Sequence, residues 1–335
     1  MKFAYLNAPF QVEIRDIPLE PIGDDDVLLR IKACGVCGSD INNGYNRTEF
    51  KPFGHEISGI VEQVGRHVKN VKAGDRVAVE SSSFCGNCAA CRNGHVELCT
   101  NKSLFAPQYN GFAEAIVAKA HTLVKFDGIS FEEAAILEPF GVAMDLAMVT
   151  DVQLGDHVVV MGAGPIGLLA IRLAKLRGAS RVTVCAHSHS LRRIQLARQY
   201  GADEVIETDK ISIQEALRNI PVQRVMVTTP PKTIADAVDV ASFGGVICAI
   251  GIAKDEQSSM CTLNINRMHF KRLQLRFSHA TPALFFPQCN ELIKSGQVDV
   301  KSLISHTFPL DRMQEAMRLC RDDKANVVKV LMVNP

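Results

Sequence analysis

The sequence carries no large excess of charge of either sign and no long uninterrupted apolar run. Its 37 Lys and Arg residues nearly balance 36 Asp and Glu, and a net charge of +1 argues against a dedicated nucleic-acid surface. The longest apolar stretch, residues 158–171, is interrupted by three glycines and Pro165, so it is too short and too broken to cross a bilayer. The first residues lack the apolar segment of a signal peptide. These absences predict a cytoplasmic protein that binds neither nucleic acid nor membrane.

Length and composition predict two globular domains. A chain of 335 residues exceeds one ordinary hydrophobic core, and 47% apolar with 22% charged residues is typical of globular proteins. Eleven cysteines would form disulfides in a small secreted chain, but in a long chain without an export signal they more often bind metal or lie buried.

Two patterns of secondary structure follow one another along the chain. Short alternating segments first predict strands, for example at residues 27–32 and 57–64. A capping pattern at Ser130 and Glu133 then begins a helical stretch, in which Glu138-Pro139 predicts a start or a kink. From residue 158, helices alternate with six short strands, at residues 158–161, 181–185, 204–206, 224–228, 246–250 and 273–277. Strands separated by helices predict a parallel, doubly wound α/β sheet.

Four cysteines, Cys85, Cys88, Cys91 and Cys99, form the pattern C-x2-C-x2-C-x7-C. Four thiolates this close can surround one zinc ion tetrahedrally, and such a site is structural because no coordination position remains for a substrate. An iron–sulfur site and a pair of disulfides are the alternatives. Six further cysteines, outside this cluster and the Cys37 segment, are predicted to be small apolar core residues: Cys34, Cys185, Cys248, Cys261, Cys289 and Cys320.

A glycine-rich loop directly follows the first of the six strands and opens a helix; it reads Gly162-Ala-Gly164-Pro165-Ile166-Gly167. In this context the G-x-G-x-x-G pattern predicts a dinucleotide-binding turn. The glycines allow a tight turn, a close approach of the backbone to a pyrophosphate, and close packing of helix against strand. The free amides of the helix N-terminus would bind the phosphates. A purely structural loop is the alternative.

The segment after the second strand lacks the acidic residue that usually binds the ribose of NAD. No Asp or Glu occurs between Gly178 and Gly201. Without a carboxylate to repel a 2′-phosphate, His187, Ser188 and Arg193 are candidates to bind one. We therefore predict an NAD(P)(H) site in which NADP(H) is favoured over NAD(H). The alternative is that the two arginines, Arg192 and Arg193, are solvated helix charges and that other groups hold NAD.

A second metal site is predicted from residues 35–56 and Glu138. Cys37, in Gly-Val-Cys-Gly-Ser-Asp, and His55, in Gly-His-Glu, are zinc-type ligands, and Glu138 is the third candidate. A catalytic zinc takes three protein ligands and leaves one position open. The spacing of Cys37 and His55 is not diagnostic by itself, since either residue could pack in a core.

Together these motifs resemble the zinc-dependent medium-chain alcohol and polyol dehydrogenases, over essentially the whole chain and in the same order. The sequence looks closest to the sorbitol, threonine and sugar-alcohol dehydrogenase branch, in which Glu replaces Cys as the third ligand. The resemblance implies a GroES-like β-rich catalytic domain at residues 1–142 and 279–335, with a structural zinc lobe at residues 85–99. It also implies a Rossmann domain with a six-stranded parallel sheet at residues 143–278, and a homodimer or homotetramer.

The resemblance further implies roles for individual residues. Cys37, His55 and Glu138 would hold the catalytic zinc, and Glu56 would be an exchangeable fourth ligand or a carboxylate behind the ligands. Ser39 would pass the alcohol proton outward. The predicted catalytic residues are therefore Cys37, Ser39, His55 and Glu56.

The sequence departs from the family pattern at Asn42 as well as in the segment without an acidic residue after the second strand. Asn42 stands where relatives usually have a histidine that completes a proton relay, and an amide cannot titrate near neutrality. Proton exit is therefore predicted to use water or another group.

These inferences predict an enzyme that transfers a hydride reversibly between NAD(P) and the secondary hydroxyl of a polyol, sugar alcohol or sugar acid. Two zinc ions per chain are expected, one catalytic and one structural. A polar mixture of side chains is predicted to line the substrate cleft: Asn43, Tyr45, Asn46, Arg47, Phe105, Tyr109 and His279. The alternatives are a metal-independent enone or quinone reductase of the same fold, and a non-catalytic protein that senses nucleotide or sugar.

Overall fold

The computed structural model describes residues 1–106, 110–253, 255–279 and 281–335. The chain divides into two compact units, Met1–Gly141 with Thr281–Pro335, and Val142–Ala280. Within the described ranges, no helix is long and apolar enough to cross a membrane.

The first unit is rich in short strands. Its strands before the second unit are β1 (Lys2–Asn7), β2 (Gln11–Asp16), β3 (Asp26–Gly35), β4 (Lys51–Pro52), β5 (Glu56–Val64), β6 (Arg76–Val79), β7 (Ser82–Ser83), β8 (Ser103–Leu104), β9 (Ala115–Lys119) and β10 (Leu123–Lys125). The helices of this part are α1 (Gly38–Asn46), α2 (Ala89–Arg92), α3 (Phe131–Ala135) and α4 (Leu137–Thr150), the last of which continues into the second unit.

The second unit alternates strands and helices. Its strands are β11 (His157–Met161), β12 (Arg181–Ala186), β13 (Glu204–Glu207), β14 (Arg224–Val227), β15 (Val246–Ala249) and β16 (Gln274–Phe277). Its helices are α5 (Pro165–Leu176), α6 (Leu191–Tyr200), α7 (Ile213–Ala216), α8 (Ile234–Val240), α9 (Glu256–Ser259) and α10 (Ile265–Lys271). The chain then returns to the first unit with α11 (Phe286–Lys294), β17 (Ile304–Phe308), α12 (Met313–Asp322) and β18 (Lys329–Val333).

A seven-stranded sheet forms the centre of the first unit. Its order is β10-β6-β5-β3-β18-β17, and β9 also pairs with β3. Along β3, Val27, Leu29 and Ile31 are fully buried and alternate with partly exposed residues, as expected for a strand with one face on the core. The last strand of the chain lies beside this early strand, so both ends of the sequence build the unit.

A six-stranded parallel sheet forms the centre of the second unit, in the order β13-β12-β11-β14-β15-β16. All five residues of β11 are buried, which fits a central strand covered on both faces. The sheet confirms the predicted doubly wound α/β class.

Two local predictions have different outcomes. The helix break expected near Glu138-Pro139 is present, because α3 ends at Ala135 and α4 begins at Leu137. The prediction that all six cysteines outside the motifs are core residues is wrong for Cys261, which is exposed. It follows α9 in a stretch of exposed residues, where no strand or helix buries it.

Candidate active site and metal centres

Strand pairing brings Cys37 and His55 together. Cys37 follows β3 by two residues, and His55 immediately precedes β5. The two strands are antiparallel, and Gly35 pairs with Glu56, so residues just beyond this pair are neighbours. The Cys37 side chain forms a hydrogen bond with the His55 ring.

Acidic groups surround the His55 ring. Burial by itself would lower the pKa of His55, but the bond to Cys37 and the charges of Glu138 and Asp40 outweigh it and hold that pKa well above its ordinary value. Glu138, in the first turn of α4, is 7% exposed. Burial raises the pKa of Glu138 to about 7, against the opposing effect of His55. A thiol, an imidazole and a buried carboxyl group therefore interact at one place.

This set fits a zinc ion in donor type and charge. Thiolate, imidazole and carboxylate are zinc ligands, and a divalent cation would restore the ionised form of the buried Glu138. The ligand atoms of Cys37, His55 and Glu138 do not all lie within 4.8 Å of one another. Two other groups of three or more ligand-type side chains in the described part of the chain meet that distance. The side chains of Cys37, His55 and Glu138 would have to move closer together to coordinate one ion.

Glu56 is paired with a buried lysine. Both carboxylate oxygens accept hydrogen bonds from Nζ of Lys329 at 2.7 Å, and the same ammonium donates to the Val36 carbonyl at 3.0 Å. The Lys329 and Glu56 side chains are 3% and 1% exposed. Burial acts to lower the pKa of Lys329, but the nearby Glu56 carboxylate outweighs it and raises that pKa. A Cβ at position 35 would overlap Oε2 of Glu56, so Gly35 makes room for the carboxylate. The pairing with Lys329 favours the prediction that Glu56 is a carboxylate behind the ligands over the prediction that it is a fourth ligand.

Sequence reasoning missed two buried charged residues beside this set. Asp40, 2% exposed, accepts a hydrogen bond from the Cys37 backbone N–H at 2.9 Å, and the Gly54 N–H lies 3.4 Å from its other oxygen. An acidic residue in the first turn of a helix commonly bonds to the backbone before that helix, so the position of Asp40 in α1 could have predicted this contact. Lys329 was visible as the one charge in the otherwise apolar segment 327–333.

The other predicted catalytic residue lies on α1. Ser39 is exposed in the first turn, and Asn42 lies one turn further along at i+3. Residues at this spacing share a helix face. The structure therefore places the predicted proton acceptor Ser39 and the amide of Asn42 along the same face of α1.

The residues predicted to line the substrate cleft have varied surroundings. The Arg47 guanidinium donates to the carbonyls of Lys51 and Pro52 at 3.1 Å, which leaves it tied to its own loop. The Tyr45 ring packs edge-on against Phe10. Further predicted residues are the partly exposed Asn43 and exposed Asn46 of α1, the buried Phe105, and His279 of the second unit; Tyr109 lies outside the described residues.

The four-cysteine cluster is compact. The sulfur atoms of Cys85, Cys88, Cys91 and Cys99 all lie within 4.8 Å of one another. Two of the sulfur pairs are separated by 3.5 and 3.6 Å, close to the roughly 3.8 Å between sulfurs in a tetrahedron with Zn–S bonds of about 2.3 Å. Backbone N–H groups of Cys85, Cys88 and Asn101 donate to these sulfurs at 3.3 to 3.4 Å. The cluster fits one zinc ion.

The glycine loop has the geometry expected of a dinucleotide turn. Gly162 follows β11 with φ of 110°, and its N–H donates to the Cys185 carbonyl at 3.0 Å. Gly164 is the N-cap of α5, whose first residues are Pro165 and Ile166. The amides of the first turn of α5 therefore lie at the carboxyl edge of the sheet.

Two of the three residues predicted to bind a 2′-phosphate, Ser188 and His187, lie against an acidic side chain instead. The Ser188 N–H and O–H donate to the two oxygens of Asp209 at 2.7 and 2.6 Å, and Nδ1 of His187 lies 3.9 Å from the same carboxylate. The ligand atoms of His187, His189 and Asp209 lie within 4.8 Å of one another. Arg193 lies in the first turn of α6.

Known proteins resemble the whole chain. Two family models match, the alcohol dehydrogenase GroES-like domain at residues 23–128 and the zinc-binding dehydrogenase at residues 165–295. L-idonate 5-dehydrogenase of Vitis vinifera is 33% identical over 98% of this chain and 93% of its own length. Sorbitol dehydrogenase of Bacillus subtilis (strain 168) is 30% identical over 99% of this chain and 97% of its own length.

Solved structures share the fold. A protein of Escherichia coli CFT073, described as a short chain alcohol dehydrogenase complexed with NADH, is 26% identical and superposes with a TM-score of 0.89 over 100% of this chain and 99% of its own. With the family models and the full-length relatives, this shows that the chain is an oxidoreductase and belongs to the zinc-dependent medium-chain dehydrogenase family.

Proposed function

We propose that the protein oxidises a secondary hydroxyl group of a polyol, sugar alcohol or sugar acid reversibly, with NAD(P) as the hydride acceptor. The observation that carries the proposal is the set of the partly buried Cys37 and His55 with the buried Glu138, in a chain that also has the dinucleotide loop. Relatives named for L-idonate and sorbitol support this substrate class.

Cys37, His55 and Glu138 would hold a zinc ion, which supplies a Lewis acid for the substrate hydroxyl oxygen. Ser39 receives the hydroxyl proton. The Asn42 amide cannot carry that proton further, so water takes it from Ser39. The first turn of α5 binds the dinucleotide phosphates and so positions the cofactor.

Two groups support these residues without contacting the substrate. Asp40 holds the Cys37 backbone, which fixes the direction of the thiol. Lys329 donates hydrogen bonds to both carboxylate oxygens of Glu56 and so holds this side chain in place behind the ligands.

The cluster of Cys85, Cys88, Cys91 and Cys99 holds a second, structural zinc ion in this proposal. The four sulfurs leave no position for substrate, so this ion orders the segment around α2. An assembly of two or four copies is proposed from the family resemblance alone.

The test is turnover with NAD⁺ and NADP⁺ on a panel of polyols and sugar acids, together with zinc analysis. We expect Cys37→Ser to lower kcat/KM by at least about a hundredfold, because the variant loses a metal ligand. It should reduce the zinc content from two ions to one while the protein still binds nucleotide. Cys261→Ser is the matched control, since Cys261 is exposed in the second unit.

Other outcomes would favour the alternative functions. Undiminished reduction of enones or quinones after removal of zinc from the Cys37 site would indicate a metal-independent reductase. Nucleotide binding without turnover of any alcohol would indicate a sensing protein.

A further inference from the structure

The second strand of the parallel sheet, β12, has no acidic residue at its carboxyl end, but a carboxylate that follows the third strand, β13, lies against that end. Asp209 follows β13 by two residues, and its two oxygens accept the N–H and the O–H of Ser188, which follows β12. The ladder between these strands also continues past its last pair, because the Thr208 N–H donates to the Ala186 carbonyl at 3.0 Å. Asp209 is therefore fixed against the end of β12.

This carboxylate and the glycine loop share one edge of the sheet. β12 lies between β13 and β11, and the Gly162 N–H donates to the Cys185 carbonyl near the end of β12. Adjacent strands are about 5 Å apart. Dinucleotides bind at the carboxyl ends of the strands, with the phosphates on the glycine loop and the ribose at the end of the second strand. Asp209 is thus placed to contact the ribose.

The chemistry of Asp209 suits that contact. Its side chain is 33% exposed, and each oxygen keeps a lone pair beyond the bond from Ser188. The Ser188 hydroxyl and amide lower the pKa of Asp209 to about 2, so the group is ionised at neutral pH. An ionised carboxylate accepts hydrogen bonds from ribose hydroxyls and repels a 2′-phosphate.

We propose that Asp209 selects the cofactor, by binding the ribose hydroxyls of NAD(H) and excluding NADP(H). This inference rests on the proposed dinucleotide site. It reverses the preference predicted from the interval between Gly178 and Gly201, which ends eight residues before Asp209.

The test is fluorescence titration of the whole protein with NADH and with NADPH at pH 8. The wild-type protein should bind NADH at least about tenfold more tightly than NADPH. Asp209→Asn should lower this ratio about tenfold, because the amide oxygen still accepts a bond from Ser188 while the negative charge is lost.

Glu204→Gln is the matched control. Glu204 begins the same strand at the opposite edge of the sheet and pairs with Arg181, so the substitution removes the same charge far from the glycine loop. The binding ratio should not change. If Asp209→Asn does not fold, Ser188→Ala removes one of the two bonds that fix the carboxylate and should also reduce the preference for NADH.

Three results would overturn the inference. Equal or tighter binding of NADPH by the wild-type protein would show that Asp209 does not exclude it. An unchanged ratio in the folded Asp209→Asn variant would assign the selection to another residue. Binding of neither nucleotide would contradict the proposed function as well. The first two results would contradict only the role of Asp209.

Discussion

Glu80 is a buried carboxyl group with incomplete hydrogen bonding, and it is not among the residues assigned to catalysis. It directly follows β6 and is 2% exposed. The Ser83 side chain and the Ala283 backbone N–H bond to it, but its Oε1 has no hydrogen-bond partner among the residues that the structure describes. Burial raises the pKa of Glu80 to about 7, against these bonds and the charge of Lys102. The folded protein therefore prefers the neutral acid.

This preference makes stability depend on pH with a defined sign. Between pH 4.5 and about 7, the folded state keeps a proton on Glu80 that the unfolded state has released. Stability from this group is therefore highest below pH 4.5 and falls as pH rises to about 7, by at most about 3 kcal/mol.

Glu80→Gln should remove that dependence, because the amide does not ionise. Between pH 5 and pH 8, the melting temperature of the variant should rise relative to that of the wild-type protein. The measurement is thermal unfolding of both proteins at the same scan rate. Glu291→Gln, at a side chain that is 68% exposed, should change little with pH. A constant difference between wild type and Glu80→Gln across this range would contradict the assignment.

At the scale of elements, two glycines of the glycine loop are needed for different reasons, one for helix packing and the other for cofactor binding. A Cβ on Gly167 would overlap the carbonyl oxygen of Gly162, so this glycine lets α5 pack against the end of β11. A Cβ on Gly164 meets nothing within 4 Å, and its φ of −72° suits any residue. Only a bound pyrophosphate would then require glycine at position 164.

Alanine at each position should therefore have a different effect. Gly164→Ala should leave the melting temperature within about 1 °C and weaken NADH binding at least about tenfold, since the methyl group occupies the space of the pyrophosphate. Gly167→Ala should lower the melting temperature and weaken binding together, because the helix must move. Thermal unfolding and NADH titration of both variants check this. Normal NADH binding by Gly164→Ala would mean that the pyrophosphate lies elsewhere.

The sequence predicts elements of the parallel sheet well because each strand is a short apolar run between turn residues. The strand expected at residues 158–161 is His157–Met161, and that expected at 273–277 is Gln274–Phe277. Contacts between strands are less predictable. Asp209 was missed because it reaches Ser188 across 21 residues, and only the pairing of β12 with β13 brings the two together.

At the scale of the whole molecule, the first unit depends on a strand from the far end of the chain. β18 pairs with β3 in antiparallel register, with Leu331 opposite Gly35. A strand at residues 327–333 was predictable from its apolar run, but neither its neighbour nor the partner of Lys329 was. Such pairing depends on packing between residues about 300 positions apart, so it cannot be predicted from local sequence patterns.

Lys329 makes this long-range pairing electrostatic as well as apolar. Its ammonium neutralises Glu56 where almost no water reaches either group. Removal of one partner of a buried ion pair leaves an uncompensated charge, which typically costs about 3 to 5 kcal/mol. In exposed pairs such as Lys51 with Glu49, water screens the attraction, so these pairs contribute far less to stability.

Lys329→Met should therefore destabilise the protein by about 3 to 5 kcal/mol, whereas Lys51→Met should have little effect. Adding Glu56→Gln to Lys329→Met should restore much of the loss, because the second substitution removes the unpaired charge that the first one leaves. The measurement is a double-mutant cycle by denaturant unfolding. If the double variant were as unstable as the two single losses added together, the ion pair would not be the cause, and β18 would be held on β3 by its apolar contacts and backbone hydrogen bonds alone.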